Sequence, residues 1–262
     1  MEKRTKHFSQ KFIAHRLLGA GNYGKIKFLK ILLKHKLGGE YEITKFLKTV
    51  LKSGDVFLDI GANMGQYLLR LSEVKGRSVQ LHAFEPSGTC VKILMRHFAG
   101  YDNVTVIHSA VSDYTGNAVL SVPVIKGIPI DTQGTINTKN RETSYSNFQS
   151  ENVAVTTVDE YVRTNSFERV DFIKTDTEGD DARVITGAVD TIKKFLPVII
   201  TEDILTGEPM NFLEETGYKD FIARKDGNIE RIKTSGDSGE IIKDVVLYIH
   251  DKTISKYNSL IR

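Results

Sequence analysis

Hydrophobic and polar positions along this chain alternate between two periods, and the switch from one to the other recurs often enough to define an architecture. Residues 56–60 carry Val56, Phe57, Leu58 and Ile60 in an apolar run without helical spacing, which predicts a buried strand. It stops at Gly61. After a tight turn through Gly61, Asn63 and Gly65, residues 66–71 suit a helix. The order then repeats: a strand over 79–84 stopped by Glu85 and Pro86, a helix carrying Val91, Leu94, Met95 and Phe98, and a third strand over 104–107. Farther on, 170–175 predicts a fourth strand, 181–192 one helix with Val184, Ile185, Ala188, Val189 and Ile192 inward, and 197–201 a fifth strand. Strands alternating with helices predict a doubly wound α/β domain, its mostly parallel sheet covered on both faces. Strands expected over 217–223 and 244–250 close it as an antiparallel hairpin.

Two stretches break this rhythm. Residues 115–155 hold two of the five prolines, three glycines and a polar run over 137–152, and predict a β-rich insertion or flap of the kind that often carries function. Residues 1–39 predict a basic helical arm ahead of a main domain over 40–262. Within the arm, Ile26, Leu29, Leu33 and Leu37 fall at helical spacing among lysines 25, 27, 30, 34 and 36. Such a helix either lies on a membrane surface through residues 1–37 or, the commoner case, packs on the body with its lysines in water.

Charge sharpens the division. Residues 1–52 sum to +10 and residues 53–262 to −7, so an acidic body carries a basic arm that could meet anionic lipid, a polyanion or the body itself. The acidic body suits a nucleic acid poorly as substrate. Cys90 is the single cysteine, which excludes an intrachain disulfide and agrees with a reducing compartment. No run approaches the roughly 18 apolar residues of a membrane span. His15 and Arg16 interrupt what would be a signal peptide's apolar stretch, so the expected location is cytoplasmic, with membrane contact confined to the arm. The oligomeric state is not legible.

The strand–turn–helix around Gly61 predicts a polar socket in which unpaired N–H groups face a ligand. A dinucleotide site needs G-x-G-x-x-G, and from Gly61 this chain offers Gly61, Asn63 and Gln66. The spacing Asp59-x-Gly61-x-Asn63-x-Gly65 suits S-adenosylmethionine, whose amino-acid end needs polar partners and which has no phosphates. Glu85, just past the second strand, can accept hydrogen bonds from both hydroxyls of a ribose. Asp176 and Glu178 follow the fourth strand at the sheet edge where ligands bind. Acids here can also cap a helix, which accounts for Asp180 and Asp181, but four acids in six residues ask for a cation or a polar ligand.

The segments V-F-L-D-I-G-A-N-M-G-Q-Y, H-A-F-E-P-S and D-F-I-K-T-D-T-E-G-D-D-A-R-V-I-T-G-A together resemble those of the FkbM-type methyltransferase family, over about residues 40–202. Asp181 departs from the pattern, standing where a glutamate is expected. The resemblance implies a Rossmann-like seven-stranded class I methyltransferase fold and adenosylmethionine-dependent O-methylation of a hydroxyl on a sugar, glycan or related natural product. By position, Asp59, Gly61, Asn63 and Gly65 would hold the methionine part, Glu85 the ribose, and Ser109 and Ala110 the adenine edge, with Ala62, Tyr67 and Pro86 also beside the cofactor. Asp176 and Glu178 are the candidate bases, Asp176 also lying beside the cofactor. A second version places Mg²⁺ on Asp176, Glu202 and Asp203, although the Asp-Asn pair of cation-dependent O-methyltransferases is absent. Base methylation is disfavoured, since D-T-E-G stands where D/N-P-P-Y/F would grip a flipped base. The rival reading is a cofactor-binding protein of the same fold that works through its basic arm without catalysis.

Overall fold

The computed structural model describes residues 29, 42–72, 74, 78–125, 127–137, 145–202, 205–232 and 245–262. Apart from Leu29, which is helical and exposed, the basic arm lies outside the described residues, as does Asp203.

The main sheet starts with β1 (Val56–Ile60), continues through β2 (Gln80–Phe84) and β3 (Val104–Ile107) on one side, and returns to β1's other side with β8 (Phe172–Thr175), followed by β9 (Val198–Thr201). All of these pair in parallel. The reversal of direction between β2 and β8 makes β1 the topological switch point, so a crevice opens beyond its carboxyl end. The tail adds β10 (Tyr218–Ala223), β11 (Ile229–Arg231) and β12 (Val246–His250); β12 slots between β9 and β10, antiparallel to both. The order is β11-β10-β12-β9-β8-β1-β2-β3. The fold is therefore a Rossmann-like, mostly parallel doubly wound sheet with an antiparallel close. Where the sequence predicts seven strands there are eight, because three residues of β11 pair with the outer edge of β10.

A smaller sheet forms between β3 and β8. It consists of β4 (Ala110–Val111), β5 (Gly116–Ile125), β6 (Ile128–Pro129) and β7 (Phe148–Thr156), in the order β4-β7-β5-β6. Leu120, Val122, Val153 and Val155 with Ala110 give it a core of its own.

Helices α1 (Glu42–Val50), α2 (Gln66–Leu71) and α3 (Gly88–Phe98) precede the small sheet, and α4 (Val158–Thr164), α5 (Asp181–Thr186), α6 (Val189–Phe195), α7 (Glu208–Glu215) and α8 (Asp251–Ile254) follow it. Strand alternation sorts the core into two faces. Phe57, Leu81, Phe172 and Leu247 pack with Phe46, Leu47, Leu68 and Leu94 on one; Leu58, Ile60, Ile173 and Ile199 pack with Val184, Ile185 and Ile192 on the other. The single helix predicted over 181–192 is split into α5 and α6. Gly187 abuts the small sheet's connection so closely that a Cβ there would stand 2.2 Å from the Ser112 carbonyl oxygen, and the chain kinks to pass it. Among the described residues no helix is long and apolar enough to cross a membrane.

Candidate active site

The turn after β1 is left-handed at alternate residues: Gly61 at φ +73°, Asn63 at +53° and Gly65 at +77°. Each serves a different contact. At Gly61 the backbone passes against the next strand, since a Cβ would fall 1.9 Å from the Asp176 carbonyl oxygen. At Gly65 the turn packs under Leu94 and Phe98 of α3. The N–H groups do not point to an open socket, as the sequence suggests. Those of Gly61 and Ala62 both donate to the Phe84 carbonyl, that of Gly65 to the Ala62 carbonyl, and that of Asn63 to Glu85 Oε2 at 2.7 Å. What the turn offers is the bare Gly61 backbone and the Asn63 side chain, whose buried Oδ1 receives no hydrogen bond.

Glu85 sits at the end of β2 and is 5% exposed. Besides Asn63 it accepts from the Ser87 N–H, at Oε1 and 2.8 Å, so each oxygen keeps a lone-pair direction in hand. Burial pushes its pKa from the ordinary 4.5 up to about 7, against the pull of those two N–H groups. Ser87 also caps α3, and its Oγ donates to Asp131 Oδ1 at 3.3 Å, which ties the short turn Asp131–Gln133 of the small sheet over the helix start.

Behind the turn lies Lys174, which sequence reasoning quoted but gave no role. It is buried on β8, 3.1 Å from Asp59 Oδ1 and 3.7 Å from Asp176 Oδ2, and its Nζ donates to the carbonyls of Ile60 and Gly61. Burial disfavours the ammonium, but the charges of Asp59 and Asp176 outweigh it and hold the pKa above the ordinary lysine value. A lysine inside a buried strand, directly after Phe172 and Ile173, is the signal that marks it. Asp59 itself is fully buried, and with Ala62, Gly65 and Tyr67 it stands behind the wall of the cleft; Lys174 lies 5.3 Å from the Tyr67 ring centre.

The acids after β8 divide by contact. Asp181, the departure from the family pattern, turns inward: one oxygen accepts from the hydroxyls of Thr175 and Thr177 and from the Thr177 N–H, which closes the loop. Asp180 holds the N-cap position of α5 but makes no capping bond; it is 1% exposed and accepts from Ser112 Oγ at 2.8 Å. Asp176 is partly exposed, and Glu178 is exposed with φ +53°.

These pieces line a cleft beyond the carboxyl end of β1. It brings together Gly61, Asn63, Glu85, Pro86, Ser109, Ala110, Asp176 and Glu178 from the expected residues, and adds Asp180 and, from the small sheet, Asp131 and Thr132. Glu202 is exposed past β9 and does not line it. Among the described residues no group of three His, Cys, Asp or Glu side chains is placed to hold a metal.

Among solved structures the chain is similar to methyltransferase FkbM from Methylobacillus flagellatus KT, at 16% identity over 76% of this chain and 44% of that one, with a TM-score of 0.48. It thus spans less than half the length of that protein. It is also similar to Aeropyrum pernix fibrillarin in complex with natively bound S-adenosyl-L-methionine (13% identity, 79% and 72% covered, TM-score 0.42). A third is a SAM-dependent O-methyltransferase from Thermotoga maritima (11% identity, 79% and 63% covered, TM-score 0.38). No curated protein matches the chain in sequence. The model of the methyltransferase FkbM domain matches residues 59–230, more than half of the chain and a span that contains every cleft residue named above: this chain belongs to the FkbM methyltransferase family.

Proposed function

We propose that this chain transfers a methyl group from S-adenosylmethionine to a hydroxyl oxygen of a sugar, a glycan or a related natural product. The observation that carries the reading is the pair Asn63 and Glu85: a buried amide oxygen without a donor and a buried carboxyl with spare acceptor capacity, both on the cleft at the switch point. Adenosylmethionine brings donors for both, its ammonium and its ribose hydroxyls, and the bare Gly61 backbone leaves room for it. Ser109 and Ala110 line the same cleft and would meet the adenine edge.

When bound, the cofactor supplies an electrophilic methyl carbon whose bond to sulfur breaks as its bond to the acceptor oxygen forms. The protein's part is to orient the acceptor and take its proton. Positioning can account for up to about 7–11 kcal/mol of barrier lowering. Asp176 or Glu178 receives the hydroxyl proton, a contribution of about 10²–10⁴-fold. Lys174, 3.7 Å from Asp176 and bonded to the Gly61 carbonyl, links the base to the turn. Of the acids considered for a metal, Asp176 lines the cleft and Glu202 does not.

Thermal unfolding with adenosylhomocysteine and with NAD is the first test. Adenosylhomocysteine at 100 times its dissociation constant should add about 2.7 kcal/mol, and a response to NAD alone sinks the reading. Mass spectrometry of glycan and lipid extracts from cells with and without the protein should then reveal a species that lacks one methyl group. If transfer to that species persists unchanged in both Asp176→Asn and Glu178→Gln, the assignment of the base is wrong.

A further inference from the structure

We infer that Asp180 marks the acceptor subsite, and that the acceptor is a neutral or cationic hydroxyl compound that donates a hydrogen bond to Asp180 Oδ1, not one that carries a phosphate or carboxylate. The inference rests on the methyl-transfer reading above.

Asp180 is a buried carboxylate with its two oxygens in different situations. Oδ2 accepts the Ser112 hydroxyl at 2.8 Å, and Ser112, fully buried just past β4, anchors the carboxyl to the small sheet. Oδ1 is buried and accepts no hydrogen bond, in a residue that lines the cleft. The nearest cation, Arg183 Nη1, stands 3.6 Å away, outside hydrogen-bond range. That guanidinium is held elsewhere: it bonds Asp113 Oδ1 through Nε and Nη2 and lies 5.3 Å from the Tyr114 ring centre. Arg183 therefore offsets the charge of Asp180 without using its lone pairs.

A buried acceptor left without a donor is costly, and native structures seldom keep one without a use. In this reading the cofactor's ammonium and ribose hydroxyls are matched to Asn63 and Glu85 and its adenine edge to Ser109 and Ala110, so the donor to Asp180 comes from elsewhere. A second molecule in the same cleft does. There it meets Leu120 and Ile136 of the small sheet as apolar surface, with Thr132 beside them, a combination that suits a sugar ring with its C–H face and its hydroxyls.

The charge of the cleft sets the sign of the selection. Glu85, Asp131, Asp176, Glu178 and Asp180 line it, and no Lys, Arg or His does among the described residues. A phosphate or carboxylate on the acceptor would face like charges, whereas a neutral polyol or an ammonium would not.

The test uses the full chain saturated with adenosylhomocysteine, and three probes: methyl α-glucopyranoside, the corresponding methyl glucosaminide and glucose 6-phosphate. Failure of adenosylhomocysteine to bind would sink the methyl-transfer reading itself, so that titration comes first. With it bound, saturation-transfer NMR should show the neutral and amino glycosides in contact and the phosphate not. Asp180→Asn keeps the shape but turns a donor toward the ligand; glycoside binding should weaken at least about tenfold while adenosylhomocysteine affinity stays within about twofold. Should that variant fail to fold, Asp131→Lys, at the half-buried rim, should admit glucose 6-phosphate. Binding of glucose 6-phosphate to the wild-type protein as tight as that of the glycosides, contact with none of the three probes, or unchanged glycoside binding in Asp180→Asn overturns the inference.

Discussion

Asp59 and Lys174 are Cα partners across the parallel pairing of β1 with β8, and their side chains meet at 3.1 Å in the core beneath the cleft. Strand alternation puts them on the face that also carries Phe57 and Phe172, so the pair is an ionic island in an apolar layer. Its worth lies in what the ammonium does next: it bonds the carbonyls of Ile60 and Gly61, and so fixes the turn on which Asn63 stands.

Lys174→Met should therefore be severe. It strands the fully buried Asp59 without a counter-charge, a loss expected at about 3–5 kcal/mol. The double variant Asp59→Leu/Lys174→Met removes both charges and should regain most of that stability, though not the anchored turn. Urea unfolding of the two variants checks this: equal losses in single and double would show that the pair is not coupled.

Glu85 gives the protein a pH dependence with a definite sign. Its pKa is raised on folding, from 4.5 to about 7, so its contribution to stability is full below about 4.5 and is lost as pH rises through 7. The loss amounts to about 3 kcal/mol. Stability of the wild type relative to Glu85→Gln should fall across that window and level off above it. Adenosylhomocysteine binding should move the opposite way, tightening toward pH 7 because ribose donors favour the carboxylate. A flat binding profile in the wild type would separate Glu85 from the ribose.

Gly61 and Gly65 allow a clean comparison, because both are left-handed at nearly the same φ, +73° and +77°. The strain of placing alanine there is common to both. The surroundings are not: a Cβ at Gly61 meets backbone, the Asp176 carbonyl oxygen at 1.9 Å, while one at Gly65 meets the end of the Leu94 side chain at 2.7 Å. Gly61→Ala should cost at least about 2 kcal/mol more than Gly65→Ala, as backbone cannot swing aside. It should also displace Asp176 and abolish methyl transfer. Similar urea midpoints for the two variants would refute the close approach.

What the sequence made legible was whatever a local pattern encodes. The run Val56 to Ile60 stopped by Gly61, and the returns to that pattern at β2, β8 and β9, suffice for the doubly wound sheet. The rest depended on contacts between distant segments. The break at Gly187 is imposed by the Ser112 carbonyl, the partner of Lys174 by the register between β1 and β8, and the third neighbour of the site, Asp131, by the fold of the small sheet over α3. Asp180 read as a helix cap because capping is a local habit of aspartate; its actual partner, Ser112, comes from another layer. The pairing of the turn's N–H groups is hidden for the same reason, since those of Gly61, Ala62 and Asn63 find their acceptors in Phe84 and Glu85 at the end of β2.

Asn63 joins stability and function with opposite signs. Its φ of +53° suits glycine as well as asparagine, so Asn63→Gly keeps the turn and its N–H bond to Glu85. The side chain it removes ends in a buried oxygen that no donor meets, and an unmet acceptor of this kind costs about 1–3 kcal/mol. The unliganded variant should accordingly be no less stable than the wild type in urea, despite the added backbone freedom of glycine in the unfolded chain. If Asn63 holds the cofactor's ammonium as proposed, adenosylhomocysteine should bind at least about tenfold more weakly. Calorimetry on the folded variant separates the two effects. Retained affinity would remove Asn63 from the cofactor site, and a large loss of stability would mean that the oxygen is satisfied within the protein after all.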